Sequence, residues 1–593
     1  AEDVHLQGFT FKPAGNQEGS ARGIYASGAN GLSVVNVAIE DILGPALTVH
    51  ASDRVDLKGI ETEGTRAIDG EEAHTPAVWI LDSTDVMIAP LTIDEHRGAT
   101  TMTPIYGAFS AIGLLIEDSS LVSVFNLSVT TVGPQGEDLF APYHSAGAQV
   151  RNAFFTTFEG VVIEDIQGAS KQKVSNGETY GGDAVGLSVI ECLGCSATEV
   201  RVEGVRGAET TDFGAIMGQG GTAIGVEIVD SEVFELSGTT IAGVWGGGGH
   251  EGSSSQQTVL LGGEAHGVRI DMSEGALLSD VTITDILSAG YRDTEIGFLP
   301  HRHPTALSTG VHILESDEVG LTHLLVQRVG QKALPLASSP PGTSACVLSQ
   351  QSDEATLNFV TCHGVGTDLS EAPEVTQDCA GVLFEGDAHS HSLGVRNSIV
   401  SGVKGPCLVQ RGLGSLPVAS VMTACETSTV GNVELSGALV EGEPGYVDEA
   451  AGDLHLKPSS EAIDLGEPTD DACDEPQPNG GVVNLGAYGG TAEATAAPLA
   501  PNGDCGAAPL VCAENHVDQD GEPDNGCECV LCNGAPVCDS NDIASQDFCD
   551  GQDNDCDGEV DEGNGGCGDG QQCVGALGHS CVELPGTQAY PLK

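Results

Sequence analysis

The segments "GLLIEDSSLVSVFNLSVTTV", residues 113–132, and "GVRIDMSEGALLSDVTITDI", residues 267–286, lie far apart in the chain and fit one template. Each starts with Gly, alternates apolar and polar residues, and places Asn126 or Asp280 thirteen positions on and Val132 or Ile286 nineteen positions on. The same offsets lead from Gly23 to Asn36 and Ile42, and from Gly225 to Gly238 and Val244. From Gly186 and Gly310 the final apolar positions are Val205 and Val329. Looser copies start near Ala46, Ala77, Ala148, Ala345, Gly381 and Pro406.

Strict alternation over short runs predicts strands, and residues that tolerate a left-handed backbone predict corners between them. Recurrence every few tens of residues predicts stacked coils. The expected fold is therefore all-β, a right-handed parallel β-helix, with Asn36, Asn126, Gly238, Asp280 and Asn358 at one corner of successive coils. Origins at Gly113, Ala148, Gly186, Gly225, Gly267, Gly310 and Ala345 are 35, 38, 39, 42, 43 and 35 residues apart, while the template spans about twenty. The variable length sits in one connection per coil, at roughly 94–110, 133–147, 168–185, 206–224, 245–266 and 287–309. These connections should form a wall along one side of residues 1–444.

Composition agrees with such a fold. The 593 residues include 82 glycines, 40% apolar and only 4% aromatic residues, too apolar for a disordered acidic chain and too rich in turn residues for a helical one. With 87 acidic against 21 basic side chains the formal charge is −66, which disfavours nucleic acid and anionic membrane surfaces as partners and favours cations. No apolar run approaches the ~18 residues of a membrane helix, so membrane insertion is not expected. The chain starts at Ala1, as a processed secretory product or a fragment would.

Of 19 cysteines none precedes Cys192, and 11 fall between Cys505 and Cys581, which marks residues 496–593 as a separate cysteine-rich tail. Zinc would suit the spacing of Cys527, Cys529, Cys532 and Cys538, but the number of cysteines favours disulfides made outside the cytoplasm. Cys192 and Cys195 should close a small disulfide turn.

Two C-terminal segments carry resemblances. "GYVDEAAGDLHLKPSSEAIDLG" and "NLGAYGG", within 445–495, resemble the closing module of bacterial secreted β-helix proteins, a "hxLxxxSxAIDxG" strand followed by a "xxGAYG" strand. That resemblance implies that the helix ends near residue 495. "CDGQDNDCDGEVDEG", residues 549–563, resembles a metal-binding repeat of secreted and surface proteins in myxobacteria-like Gram-negative bacteria, implying an extracellular or cell-surface location in such an organism.

The residues of that repeat can be read independently. Asp553, Asp555 and Asp557 alternate before Gly558, as carboxylates do in a calcium loop; the Glu559 carbonyl and Asp561 fall at the seventh and ninth positions. Asn564 stands where a bidentate Glu is usual, with Glu562 as the substitute. Asp518, Asp520, Glu522 and Asp524 repeat the pattern. The expected cofactor is Ca2+ or another divalent cation.

For chemistry the sequence offers little. A polygalacturonase-like pattern of paired aspartates, Gly-His-Gly and Arg-x-Lys is missing, with His250 in "GGGGHEG" the nearest fragment. Asp41, Asp165 and Asp285 each sit one residue before the last apolar position of a coil, which suggests a corner. Asp387-x-His389-x-His391 and His301-x-His303 are weak metal-ligand patterns. No catalytic residue is assigned.

The connections hold many of the few aromatics, among them Tyr106, Tyr143, Tyr180, Trp245 and Tyr291. They either anchor the loops or offer a stacking surface to sugars or a protein. The first residues, "AEDVHLQGFTFKPAG", resemble coil text without a capping helix, which predicts stacking on another molecule or missing sequence. The expected function is a secreted or surface structural and adhesive protein that self-associates or contacts surface glycans, with a carbohydrate-binding or polysaccharide-degrading role through the loop wall as the alternative.

Overall fold

The computed structural model describes residues 2–13, 23–66, 76–98, 109–133, 144–168, 178–211, 217–250, 259–289, 292–293, 306–332, 342–366 and 378–497 except 389 and 391, with 516–517, 529–532, 535–537, 571–574 and 580–583 in the tail. It divides into two compact units, Ala1–Pro501 and Asn502–Lys593. The first unit is a right-handed parallel β-helix. Each strand pairs in parallel with its counterpart one coil away: Ala184–Leu193 lies between His144–Phe154 and Ala223–Val229, and Ser196–Arg206 between Thr157–Ile166 and Glu235–Trp245. Among the described residues no helix is long and apolar enough to cross a membrane.

Two template offsets are corners. Thirteen residues after the origins, Asn36, Asn126, Glu199, Gly238, Asp280 and His323 all adopt left-handed backbone. Eighteen residues after them, Asp41, Thr131, Asp165, Gly204, Gly243, Asp285 and Arg328 do the same. The backbone must turn at both places whatever the side chain, and Gly, Asn and Asp are only the residues that do so most easily. The recurring aspartates are thus corner residues, and Asp285 is further held by Arg328, whose Nε and Nη2 donate at 2.6 and 2.8 Å from the next coil.

The glycine origins have a different cause. A Cβ on Gly225 would lie 2.4 Å from Ile241 Cγ2, and one on Gly267 equally close to Ile283 Cγ2, so glycine makes room for a branched residue on the facing strand. Gly147 with Ile163, Gly186 with Val202 and Gly310 with Val326 repeat the pairing. The register moves three expected origins by one residue, to Gly147, Cys346 and Cys407 in place of Ala148, Ala345 and Pro406. Alternation in runs of small apolar residues leaves that phase ambiguous. Where Cys346 replaces the glycine, Cys362 replaces the branched partner and a disulfide joins them.

Another column runs through buried serines. The backbone N–H of Ser231 donates to Ser273 Oγ, that of Ser273 to Ser316 Oγ and that of Ser316 to Ser352 Oγ, each near 3.1 Å. Cys192 takes a serine's place, donates its N–H to Ser231 Oγ and is bonded to Cys195, giving the small disulfide turn that the spacing suggested. Inside, Val, Leu and Ile from all faces form one continuous core, each contributing about 1.5–3 kcal/mol when fully buried.

Two expectations about the C-terminal end of this unit are corrected. The last ladder strand is Leu439–Glu441, and the following segment folds back along the flank instead of adding a coil. "AIDLG" and "GAYG" are turns, not strands, because Asp464, Gly466 and Gly486 are committed to close approaches and left-handed backbone. They cap the corner column: His323 Nε2 donates to the Gly489 carbonyl, Ala487 N–H to Thr361 Oγ1 and Glu467 N–H to Asn397 Oδ1. Under this cover the corner residue is Phe359, not Asn358, packed with Ala472 and Val483. Tertiary packing here overrides the preference for Asn.

Asn126→Val should cost about 1–3 kcal/mol by forcing a β-branched residue into the left-handed region, whereas Asn126→Gly should stay within about 1 kcal/mol. Urea unfolding measures both, and equal losses would contradict the corner assignment. A second test uses Glu475, 3% exposed, which accepts from the N–H groups of Asn484 and Gly490 at 2.7 and 2.6 Å. Burial pushes its carboxyl up to about 7 from 4.5. Its folded state holds the proton more tightly, so its contribution is full below about 4.5 and is lost as pH rises through 7. The melting temperature of the wild type should therefore fall more between pH 5 and 8 than that of Glu475→Gln; parallel curves would refute this.

Candidate functional site

Alternation along the first strand of each coil sends the apolar template positions inward and the residue between them outward. Down the stack the outward residue changes in order: Leu115, Gln149, Ser188, Glu227, Arg269, His312, Leu348, Leu383. Leu115 packs with Ile112, Ala146 and Trp79 at one end, and Leu348 and Leu383 with Ala345, Ala380 and Val409 at the other. Between these apolar patches lies a polar column whose Gln149, Ser188 and His312 are 2%, 0% and 4% exposed. Polar groups this buried on the outer face of a sheet require partners.

Part of the requirement is met locally. Ser188 Oγ donates to Glu227 Oε2 at 3.0 Å, and Arg269 Nη2 donates to Asp271 Oδ2 at 2.7 Å. His266, one residue before its glycine and fully buried, donates Nε2–H to Glu264 Oε2 at 3.3 Å and accepts from Thr309 Oγ1 at 2.7 Å. Its ring stacks on that of His312 with centroids 5.2 Å apart. His312 Nε2 is 2.8 Å from Gln350 Oε1, Gln350 Nε2 donates to Glu385 Oε2 at 2.8 Å, and Arg411 holds Glu385 Oε1 at 3.1 Å. Beside the column, Asp183 pairs with His144 at 2.9 Å and accepts from the Thr222 N–H at 2.6 Å.

Among the described residues three buried atoms of the column have no hydrogen-bond partner: Gln149 Oε1, Arg269 Nε and His312 Nδ1. The electrostatics are correspondingly uneven. Burial raises the Glu227 carboxyl, with Arg269 on the adjacent coil working against it. Burial and the nearby His266 bring His312 down to about 3, so the imidazole is neutral at physiological pH. Burial opposes charge on His144 as well, but Asp183 outweighs it and its pKa rises. Burial would raise Glu264, yet its bond to His266 outweighs this and lowers it. The column therefore combines a neutral acceptor, a fixed cation and a carboxyl drawn toward its neutral form, the components of hydrogen-bonded recognition and of proton transfer.

Most of the residues singled out from sequence are not among the described ones. Asp518, Asp520, Glu522, Asp524, Asp553, Asp555, Asp557, Glu559, Asp561 and Glu562 lie outside the described residues, as do Tyr106, Tyr143, Tyr291, His301, His303, His389 and His391. Tyr180 ends the strand Glu178–Tyr180, which pairs in parallel with Met217–Gln219, and Val259–Leu261 pairs in turn with the latter. Trp245 closes the strand Glu235–Trp245, with Arg206 of the previous coil 4.6 Å over its ring, an anchoring contact on one face. His250 pairs by its backbone with Thr211. Asp387 Oδ1 accepts from Ser390 N–H and Oγ in a local turn. Among the described residues no group of three His, Cys, Asp or Glu is placed to hold a metal.

The polar column itself was missed because its members are about forty residues apart and share no local motif. The signal was present nonetheless: the third letter of each template, read from coil to coil, spells it out.

No family model matches this chain, and no curated protein sequence aligns with it significantly. Solved structures with partial likeness include the pectate lyase Pel9A, at 9% identity and a TM-score of 0.30 over 72% of this chain and 88% of that one. Others are an alginate lyase from Paenibacillus sp. str. FPU-7, at 9% identity and TM-score 0.20 over 64% and 92%, and PfbA, a surface adhesin of Streptococcus pneumoniae, at 8% and 0.24 over 69% and 85%. At such scores the likeness says nothing of function, and the fold stands on the strand register.

Proposed function

We propose that this protein acts outside the cell as a glycan-contacting β-helix and that the outward column from Gln149 to His312, with Gln350 behind it, is the contact site. The observation that carries the reading is the set of unpartnered buried donors and acceptors between two apolar patches. Saccharides offer hydroxyls to such atoms and C–H faces to the apolar flanks, and ligand sites generally combine a few placed polar groups with an apolar lining. Three disulfides among the described residues support an oxidising compartment. The Gram-negative surface location rests on the resemblance of the tail.

Incubation of the intact protein with a panel of soluble glycans tests the reading. A subset should be retained, and retention should drop in Glu227→Ala; assay of reducing ends in the same samples reports turnover. Failure to bind any glycan at millimolar concentration would contradict the proposal.

We further infer that the acid-rich loops of the tail bind a divalent cation, on the alternation of Asp553, Asp555 and Asp557 before Gly558. Bound calcium should be measurable by elemental analysis and reduced in the double variant Asp553→Ala, Asp555→Ala. Equal metal content in both proteins would refute it.

A further inference from the structure

We propose that Arg269 and His312 form a clamp for a sugar hydroxyl and that the site selects neutral saccharides over uronates. The inference rests on the column being the glycan site and names its ligand class.

Hydrogen-bond accounting carries the argument. The Glu385 carboxylate accepts from Gln350 Nε2 at 2.8 Å and is held from the other side by Arg411 at 3.1 Å, so the Gln350 amide can present only its oxygen to His312. His312 must then carry its proton on Nε2, which donates at 2.8 Å, and the lone pair is left on Nδ1. That atom is buried and has no partner. One coil away, in direct register, Arg269 spends Nη2 on Asp271 at 2.7 Å and leaves its buried Nε–H without an acceptor. An unused donor and an unused acceptor thus belong to residues in direct register on the same outward face, on strands roughly 4.8 Å apart.

A hydroxyl satisfies both, accepting from Arg269 Nε–H and donating to His312 Nδ1. A carboxylate satisfies only the arginine and turns its charge toward a lone pair. Asp271 and Glu264 add negative charge around the pair. Burial and the His266 ring keep His312 neutral, so the acceptor persists through the physiological range. Of the pair the Arg269 side chain is the more accessible, at 29% exposed, and His312 the more buried, at 4%.

Isothermal titration of the full chain at pH 7 with neutral glucans, mannans and galactans, and with pectate and alginate as uronate probes, decides the matter. The wild type should bind at least one neutral glycan more tightly than either uronate. His312→Phe, which keeps a ring and removes the acceptor, should weaken that binding about tenfold, and so should Arg269→Lys, which keeps the charge and moves the donor. Melting curves identify a variant that has not folded, and the other then carries the test. Uronates bound as tightly as neutral glycans, or wild-type affinity in the folded variants, would overturn the clamp while leaving the column as the glycan site. If no glycan binds, both readings fall together.

Discussion

Everything in the first unit depends on coil-to-coil register. A parallel ladder repeated without slippage converts each template position into a column, so that like stacks on like along the unit. Left-handed corners hold that register, because they fix where each coil turns. A one-residue slip would send every core side chain to the outer face. Several columns show how strictly the constraint operates. Glycine faces a branched residue in coil after coil, and at one coil Cys346 and Cys362 exchange both members of the pair for a disulfide. The corner keeps its backbone even when it must be Glu199, His323 or Phe359.

The same constraint builds the candidate site. On the inner face, stacking of like residues yields a continuous core. On the outer face it permits a gradual change of character, from the apolar patch around Leu115 through Gln149, Ser188, Glu227, Arg269 and His312 to the patch around Leu348. Groups about forty residues apart in sequence therefore meet as immediate neighbours, and each is held by a rigid strand. The arrangement of His266 on His312, and of Arg411, Glu385 and Gln350 in line behind it, fixes the protonated nitrogen of a buried imidazole.

The fold was legible because alternation and corner residues are local signals, and Asn36, Asn126, Gly238 and Asp280 lie where the template put them. Errors arose where tertiary contacts outweigh local preference. Phe359 takes the corner in place of Asn358 because it stands thirteen residues after Cys346, where the segment after Leu439–Glu441 packs over it, and that segment's "AIDLG" and "GAYG" turns look like strands when read by composition alone. The origins at Ala148 and Ala345 were displaced by one residue since small apolar residues occupy both faces there. The outward column has no motif along the chain, as its chemistry is written across coils.

The central claim is that the outer face of the first sheet, from Gln149 to His312 with Gln350 behind it, is where this protein meets its ligand. The most direct test is a crystal structure with the oligosaccharide that binds best in solution. The account predicts sugar density against that column, with a hydroxyl between Arg269 Nε and His312 Nδ1. Sugar bound on the flank or the tail, or a column filled by the protein's own side chains in the presence of bound sugar elsewhere, would contradict it.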